Sequence, residues 1–394
     1  MGLQAKSHGK FVRIEGTHLI QPNGERLFIR GTNLGNWLNP EGYMFGFSKT
    51  NSAWMIDQMF RQLVGPTETD IFWQVFKDQY ITRDDIAFIA QQGANTIRLP
   101  LNYKLFTDED YMGLRCRQDG LQRIDQVVDW CREFGLYLIL DMHDCPGGQT
   151  GDNIDDSYGY PWLFESEACQ QQLCDIWQQI ARRYKNEPVV LGYELMNEPI
   201  AHYFEAEKQR LNAALEPLYK RLVSAIRGVD DNHIILLGGA QWNSAFDMFS
   251  DWTFDAKIMY TCHRYGGPAT KEAIQSYIDF RDKTGLPMYM GELGHNTDQW
   301  QRDFAEAMEQ ANIGYTFWPY KKVDGSCMMA IQRPELWDSL IVRFAESDRT
   351  TYSQMREARP QQELAKKVMQ AYLQNICFDQ CVPQDSYIRS MKLK

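Results

Sequence analysis

No apolar run in this 394-residue chain approaches the length of a bilayer span, so no membrane-crossing helix is expected. Lys and Arg gather into no run before the short Lys392–Lys394 tail, and acidic residues outnumber basic ones 52 to 41. A phosphate backbone needs clustered cations, so nucleic acid is not expected as the main partner. No cysteine pair has zinc-ribbon spacing. The nine cysteines are odd in number and scattered, several in apolar segments, as reduced buried thiols are. Cys377 and Cys381, near the end, are weighed as a disulfide pair. There is no low-complexity linker and no internal repeat. A phosphate-binding glycine loop is missing too, since GTNLGNW (31–37) matches that pattern poorly. The opening MGLQAKSHGK has no apolar signal core. A chain from which a signal had been removed would leave the same trace, so the compartment stays open.

What is present is a large core and many aromatic rings. Hydrophobic residues make up 44% and charged residues 24%, with eleven Trp and twenty Tyr. Aromatic faces are what proteins stack against sugar rings, although many of these side chains belong to the core. After a hairpin around Pro22-Asn23-Gly24, β-rich runs recur at 28–34, 95–100, 137–143, 189–199, 233–240, 258–265, 287–294 and 314–320. Helical periodicity fills Asp84–Gln92, Leu121–Phe134, Cys169–Tyr184, Leu211–Val229 and Trp300–Ala311 between them. Eight alternating units with continuously apolar strands predict a (β/α)8 barrel of the TIM type. A doubly wound open sheet is the rival. Long insertions follow the first strand (Trp37 to Ile81) and the third (Asp144 to Trp162), and helices are expected around 334–346 and 361–374. The whole chain, 1–394, reads as one catalytic domain, with a hairpin over 1–27, barrel strands over 28–320 and a C-terminal loop and helices over 321–394.

The strand ends carry the chemistry. Arg98, His143, Asn197, Glu198, His263, Tyr265, Glu292 and Trp318 lie at or near the C-terminal ends of successive strands, the face where barrel active sites sit. Glu198 and Glu292 come from strands four and seven, across the barrel from one another. Facing carboxyls suit retaining glycoside hydrolysis, one as nucleophile and one as acid and base. Arg98 and Tyr265 could hold a nucleophile ionised, Asn197 could meet a sugar hydroxyl, and Trp318 could form an apolar wall. Trp37, Trp162 and Trp242 are candidate outer platforms for sugars. Two other classes remain open on these residues: a metal-dependent enzyme using His143, Glu198, His263 and Glu292 as ligands, and a non-catalytic sugar-binding barrel.

Asn197-Glu198-Pro199 together with Gly291-Glu292 closely resembles glycoside hydrolase family 5, and the eight ordered strand-end residues all find a match in that family's pattern. The resemblance runs roughly from Phe28 to Tyr320. It implies Glu198 as acid/base, Glu292 as nucleophile, His143 and Asn197 on the sugar in the cleavage subsite, and His263 near the acid/base. It implies a β-linked carbohydrate substrate and neither cofactor nor metal. RGTNLGNWLNPEGYMF and the Pro146–Gly151 loop (PGGQTG) are similar to the branch of exo-acting β-1,3-glucanases and β-glucosidases. Asp144-Cys145 and WPYKKVDG depart from that branch. An endo-β-1,4-glucanase or β-mannanase of the same family is the alternative.

Overall fold

Three short antiparallel strands, β1 (Arg13–Glu15), β2 (His18–Ile20) and β3 (Arg26–Leu27), open the chain in the computed structural model, which describes residues 9–113 and 119–394. The expected hairpin around Pro22-Asn23-Gly24 is the β2–β3 half of this sheet. Its apolar side chains plug the barrel floor. Val12, Leu19 and Leu27 form one buried cluster with Ile29, Leu191, Ile234 and Met259 of the strand bottoms.

The barrel itself is closed by eight parallel strands, β4 (Arg30–Asn33), β5 (Thr96–Asn102), β6 (Tyr137–Asp144), β7 (Val190–Glu194), β8 (Ile234–Gly238), β9 (Ile258–His263), β10 (Met288–Gly294) and β11 (Gly314–Trp318). Each pairs with the next in order, and β11 returns to β4. The (β/α)8 architecture is therefore as the apolar strand runs imply, and the open sheet is excluded. Helices pack outside, and a second, larger apolar cluster fills the space between them and the strands. Hydroxyl caps start several of these helices: Ser166 accepts from Cys169 N, and Thr297 from Trp300 N.

Several elements differ from expectation. The fourth strand stops at Glu194 rather than continuing to 199, because Glu198 and Ile200 take left-handed φ of 44° and 58° and turn the chain. The connection from β8 to β9 has no regular helix among its described residues, only the short turn Ala240–Asn243. The insertion after the first strand folds as two helices, Ala53–Val64 and Pro66–Gln79, whose buried aromatic rings extend the core. Beyond the barrel, helical residues 337–345 and the helix Gln362–Asn375 match the expected pair, and Tyr352–Ala358 and Asp385–Ser390 add two more. Cys377 and Cys381 are free thiols; Cys116 lies outside the described residues. Among the described residues, no helix is long and apolar enough to cross a membrane.

Candidate active site

Arg98 is the hub of the upper barrel. It sits inside β5 with no exposed surface, so its guanidinium must find its partners within the protein. Nε and Nη2 fork onto the two oxygens of Glu194 at 3.0 and 2.7 Å. Nη2 also donates to Asn197 Oδ1 at 2.8 Å and lies 3.0 Å from Asp141 Oδ2. Nη1 donates to Asn33 Oδ1 at 3.1 Å and to Glu292 Oε1 at 2.6 Å. Strands β4, β6, β7 and β10 and the turn after β7 are thereby tied to one side chain. Sequence reasoning missed Glu194 and Asn33; their only signal was a polar residue inside an otherwise apolar strand run.

Glu292 is aimed by a bulge. Met290 pairs with Cys262, yet Glu292 pairs with His263, so Gly291 is an extra residue in β10. A Cβ at Gly291 would fall 2.5 Å from Thr261 Oγ1 and 2.8 Å from His263 Nε2. Only glycine fits there. The carboxylate oxygens are both occupied by donors: Arg98 on Oε1, and the Tyr265 hydroxyl on Oε2 at 2.5 Å.

Glu198 arrives by a different route. It follows β7 in the left-handed turn, fastened where Gln149 Nε2 donates to Asn197 O at 2.7 Å and Thr150 Oγ1 donates to Glu198 O at 2.7 Å. Its Oε1 lies 2.7 Å from His263 Nδ1. One ligand-type atom each from Glu198, His263 and Glu292 lies within 4.8 Å of the others, so the two carboxyl groups face each other across a short gap.

Burial and charge separate these two acids. Burial pushes the Glu198 carboxyl well up, and the charge of Glu292 adds to it. Burial also raises Glu292, but the Arg98 cation and the Tyr265 hydroxyl oppose the rise. Of the pair, Glu198 is therefore the one that keeps a proton. Both histidines are neutral: burial lowers His143 to about 3 and His263 well below its usual range. His143 Nδ1 lies 2.7 Å from Asp141 Oδ2, and its ring stacks on Trp318 at 5.2 Å with an angle of 1° between planes.

These groups border a cavity of about 350 Å³. Of the expected residues, His143, Asn197, Glu198, Tyr265, Glu292 and Trp318 line it, while Arg98 and His263 stand directly behind the two carboxyls. Glu41, Tyr43, Ile154 and His295 complete the lining and were not foreseen. Tyr43 accepts from Trp318 Nε1 at 2.6 Å and meets His295 Nε2 at 3.2 Å. Glu41 is a third buried carboxyl, pushed up to about 8 by burial and then by the charges of Glu292 and Asp152.

Trp37 is a correction. It has no exposed surface, and its Nε1 donates to Lys77 O at 2.8 Å, so the ring is core beneath the insertion helices rather than a sugar platform. Trp162 and Trp242 stand apart from the cavity lining, in an aromatic group with Tyr160, Tyr203 and Phe204.

Among the described residues, Glu198, His263 and Glu292 form the one carboxylate-imidazole group with metal-ligand spacing. The donor set suits a metal poorly. A guanidinium 2.6 Å from Glu292 puts a fixed positive charge beside the space an ion would take, and Tyr265 fills the other oxygen. Carboxyls of unequal proton affinity beside an aromatic-walled cavity suit acid-base and nucleophilic chemistry instead.

A sequence profile described as cellulase (glycosyl hydrolase family 5) matches residues 58–323. The chain is 27% identical over 371 residues to a beta-xylosidase of Phanerodontia chrysosporium, covering 85% of this chain and 75% of that protein. It is 28% identical over 317 residues to endoglucanase C of Acetivibrio thermocellus, covering 64% and 88%. A beta-glucanase structure from Saccharophagus degradans superposes with a TM-score of 0.55 at 19% identity, covering 93% and 94%.

Proposed function

Since the chain belongs to glycosyl hydrolase family 5 and is a glycoside hydrolase, we propose that it is a retaining β-glycosidase that removes terminal sugars from β-glucosides or β-glucan. The observation that carries this reading is the close approach of Glu198 and Glu292, within 4.8 Å, each with a different set of partners. Retaining enzymes hold their two carboxyls about 5–5.5 Å apart, whereas inverting ones leave room for a water.

In the first step Glu292, ionised beside Arg98 and Tyr265, attacks the anomeric carbon. The bond to the leaving oxygen breaks, and Glu198 gives that oxygen its proton. In the second step Glu198, now a carboxylate, takes a proton from water. The water oxygen bonds to the anomeric carbon, and the ester to Glu292 breaks. Asn197 and His143 meet the sugar hydroxyls, and Trp318 supports the ring; all three line the cavity.

Removal of a terminal unit fits a cavity that both insertions border. Glu41 and Tyr43 from the first insertion and Ile154 from the second border it. The two insertions are stitched together where Asn39 Nδ2 donates to Ile154 O, and Asn153 Nδ2 to Asn51 O, both at 3.4 Å. The chain acts as one catalytic domain over 1–394: the C-terminal part packs on the first insertion through Trp337, whose Nε1 donates to Phe45 O at 2.9 Å.

Hydrolysis of aryl β-glucoside, β-cellobioside, β-mannoside and β-xyloside tests the reading. Preference for the glucoside, with loss of at least about a hundredfold in Glu198→Ala and Glu292→Ala, is expected. Faster release of internal fragments from soluble glucan than of monosaccharide would make the enzyme endo-acting. Unchanged activity in both variants would overturn the two-carboxyl mechanism.

A further inference from the structure

Three consecutive non-glycine residues after β8 hold left-handed backbone: Gln241, Trp242 and Asn243, with φ of 50°, 58° and 57°. Each such residue costs energy that the surroundings must supply. Gln241 is clamped by a reciprocal amide pair with Asn212, at 3.2 and 2.8 Å. The outcome of the turn is the placement of Asn243, which is fully buried with Nδ2 3.1 Å from His263 Nε2. Its Oδ1 has no hydrogen-bond partner among the described residues. It packs where a Cβ on Gly238 would come within 2.0 Å, so only glycine tolerates it there. A backbone turn kept merely to close a loop has no need for these costs.

The proton on His263 gives them a purpose. Nδ1 faces both carboxyls, 2.7 Å from Glu198 Oε1 and 3.6 Å from Glu292 Oε2. Burial and then the Arg98 charge keep the ring neutral, so one nitrogen carries a proton and the other a lone pair. Facing two acids, at least one of them ionised, the proton belongs on Nδ1. Nε2 then needs a donor in a dry pocket, and the Asn243 amide supplies it.

We propose that Asn243 is a positioning residue: its amide donates to His263 Nε2, fixes the Nδ1–H tautomer, and so keeps the acid proton of Glu198 off Oε1 and on Oε2. The inference rests on Glu198 serving as the acid/base. Oε1 accepts from His263, and no protein group is hydrogen-bonded to Oε2 among the described residues. Oε2 is thus the oxygen that can present its proton to the departing sugar oxygen. With the opposite tautomer, Nδ1 would accept the proton of Glu198 on Oε1 and hold it away from the bond to be broken.

The test is a leaving-group comparison in Asn243→Ala and Asn243→Asp. An alkyl β-glucoside needs its leaving oxygen protonated, and a 2,4-dinitrophenyl β-glucoside does not. Expected is a loss in kcat/KM on the order of a hundredfold on the alkyl substrate and within roughly threefold on the dinitrophenyl one. Equal losses on both, or no loss on either, overturn the proposal. The wild-type protein gives a second reading that no folding defect can cloud. In a ¹⁵N-histidine spectrum, with His263 assigned by its loss in His263→Gln, the Nδ1–H, bare-Nε2 form is expected, and the reverse tautomer overturns the proposal. The spectrum reads the ring whether or not any glycoside is cleaved, so this inference and the glycosidase reading fail separately.

Discussion

The Tyr265 hydroxyl donates to Glu292 Oε2 at 2.5 Å, opposite the Arg98 guanidinium that holds Oε1. A hydrogen bond to a charged acceptor contributes about 1.5–3 kcal/mol. Tyr265→Phe keeps the ring and removes that bond. The nucleophile then becomes harder to ionise, so the acid limb of kcat/KM moves to higher pH by about one unit and the rate falls roughly ten- to hundredfold. A pH-rate profile of the variant measures both. An unshifted acid limb would mean that Tyr265 acts only on the sugar.

Stability should fall as pH rises from 6.5 to 8. Burial raises Glu41 to about 8 and Asp141 to about 7, from unfolded values of 4.5 and 3.8. The folded protein therefore keeps protons that the unfolded chain has released, and stability falls as pH rises until the folded groups also let theirs go. Below pH 6.5 the buried histidines act oppositely. His143 at about 3 and His295 at about 4 stay neutral while their unfolded counterparts charge, so their own contribution drops as pH falls through that window and offsets the gain from the carboxyls. Below pH 6.5 the carboxyls and the histidines oppose one another, so the window above it is the clean one: in thermal unfolding from pH 6.5 to 8 Tm should fall, with Glu41→Gln flattening the fall. A Tm that keeps rising to pH 8 would contradict the buried, protonated state of Glu41.

Two tryptophans should separate cleanly. Trp37→Ala removes a fully buried ring and its bond to Lys77 O, at a cost of about 3–5 kcal/mol, with the surviving folded fraction keeping its KM. Trp318→Ala removes a buried cavity wall stacked on His143, so it costs stability too, but it should also change KM and kcat of the folded fraction. Chemical denaturation alongside aryl-glucoside kinetics distinguishes them. The reverse pattern would put Trp37 at the sugar after all.

Arg98→Lys should damage the fold and the site together. Lysine is a point charge and cannot reproduce the fork onto Glu194 while also meeting Glu292 and Asn197. Leaving buried carboxylates unpaired costs on the order of 3–5 kcal/mol. A variant as stable and active as the parent would show that the network carries far less than its geometry implies.

The barrel was legible because eight apolar runs and their flanking periodicities are local signals, and Glu198 and Glu292 because each closes such a run. What escaped was set by long-range placement. Glu194 reads in sequence as one polar residue inside the 189–199 run, and only closure of the barrel turns it toward Arg98. Glu41 and Tyr43 lie in an insertion whose path depends on the two helices beneath it. Trp37 was misplaced because sequence shows that an aromatic follows a strand, not which way its ring turns. The extra residue Gly291 in β10 and the left-handed turn at 241–243 are backbone events that the side-chain pattern does not encode.

The central claim is a covalent glycosyl ester on Glu292. Intact-mass and peptide analysis after incubation with a 2-deoxy-2-fluoro-β-glucosyl fluoride tests it most directly, because the fluorine slows both steps and the good leaving group favours the first. The account predicts one added fluoroglucosyl group, located on Glu292, and accumulation of the same adduct in Glu198→Ala. Turnover of the parent substrate with no adduct, release of the inverted anomer, or a label on another residue would contradict it.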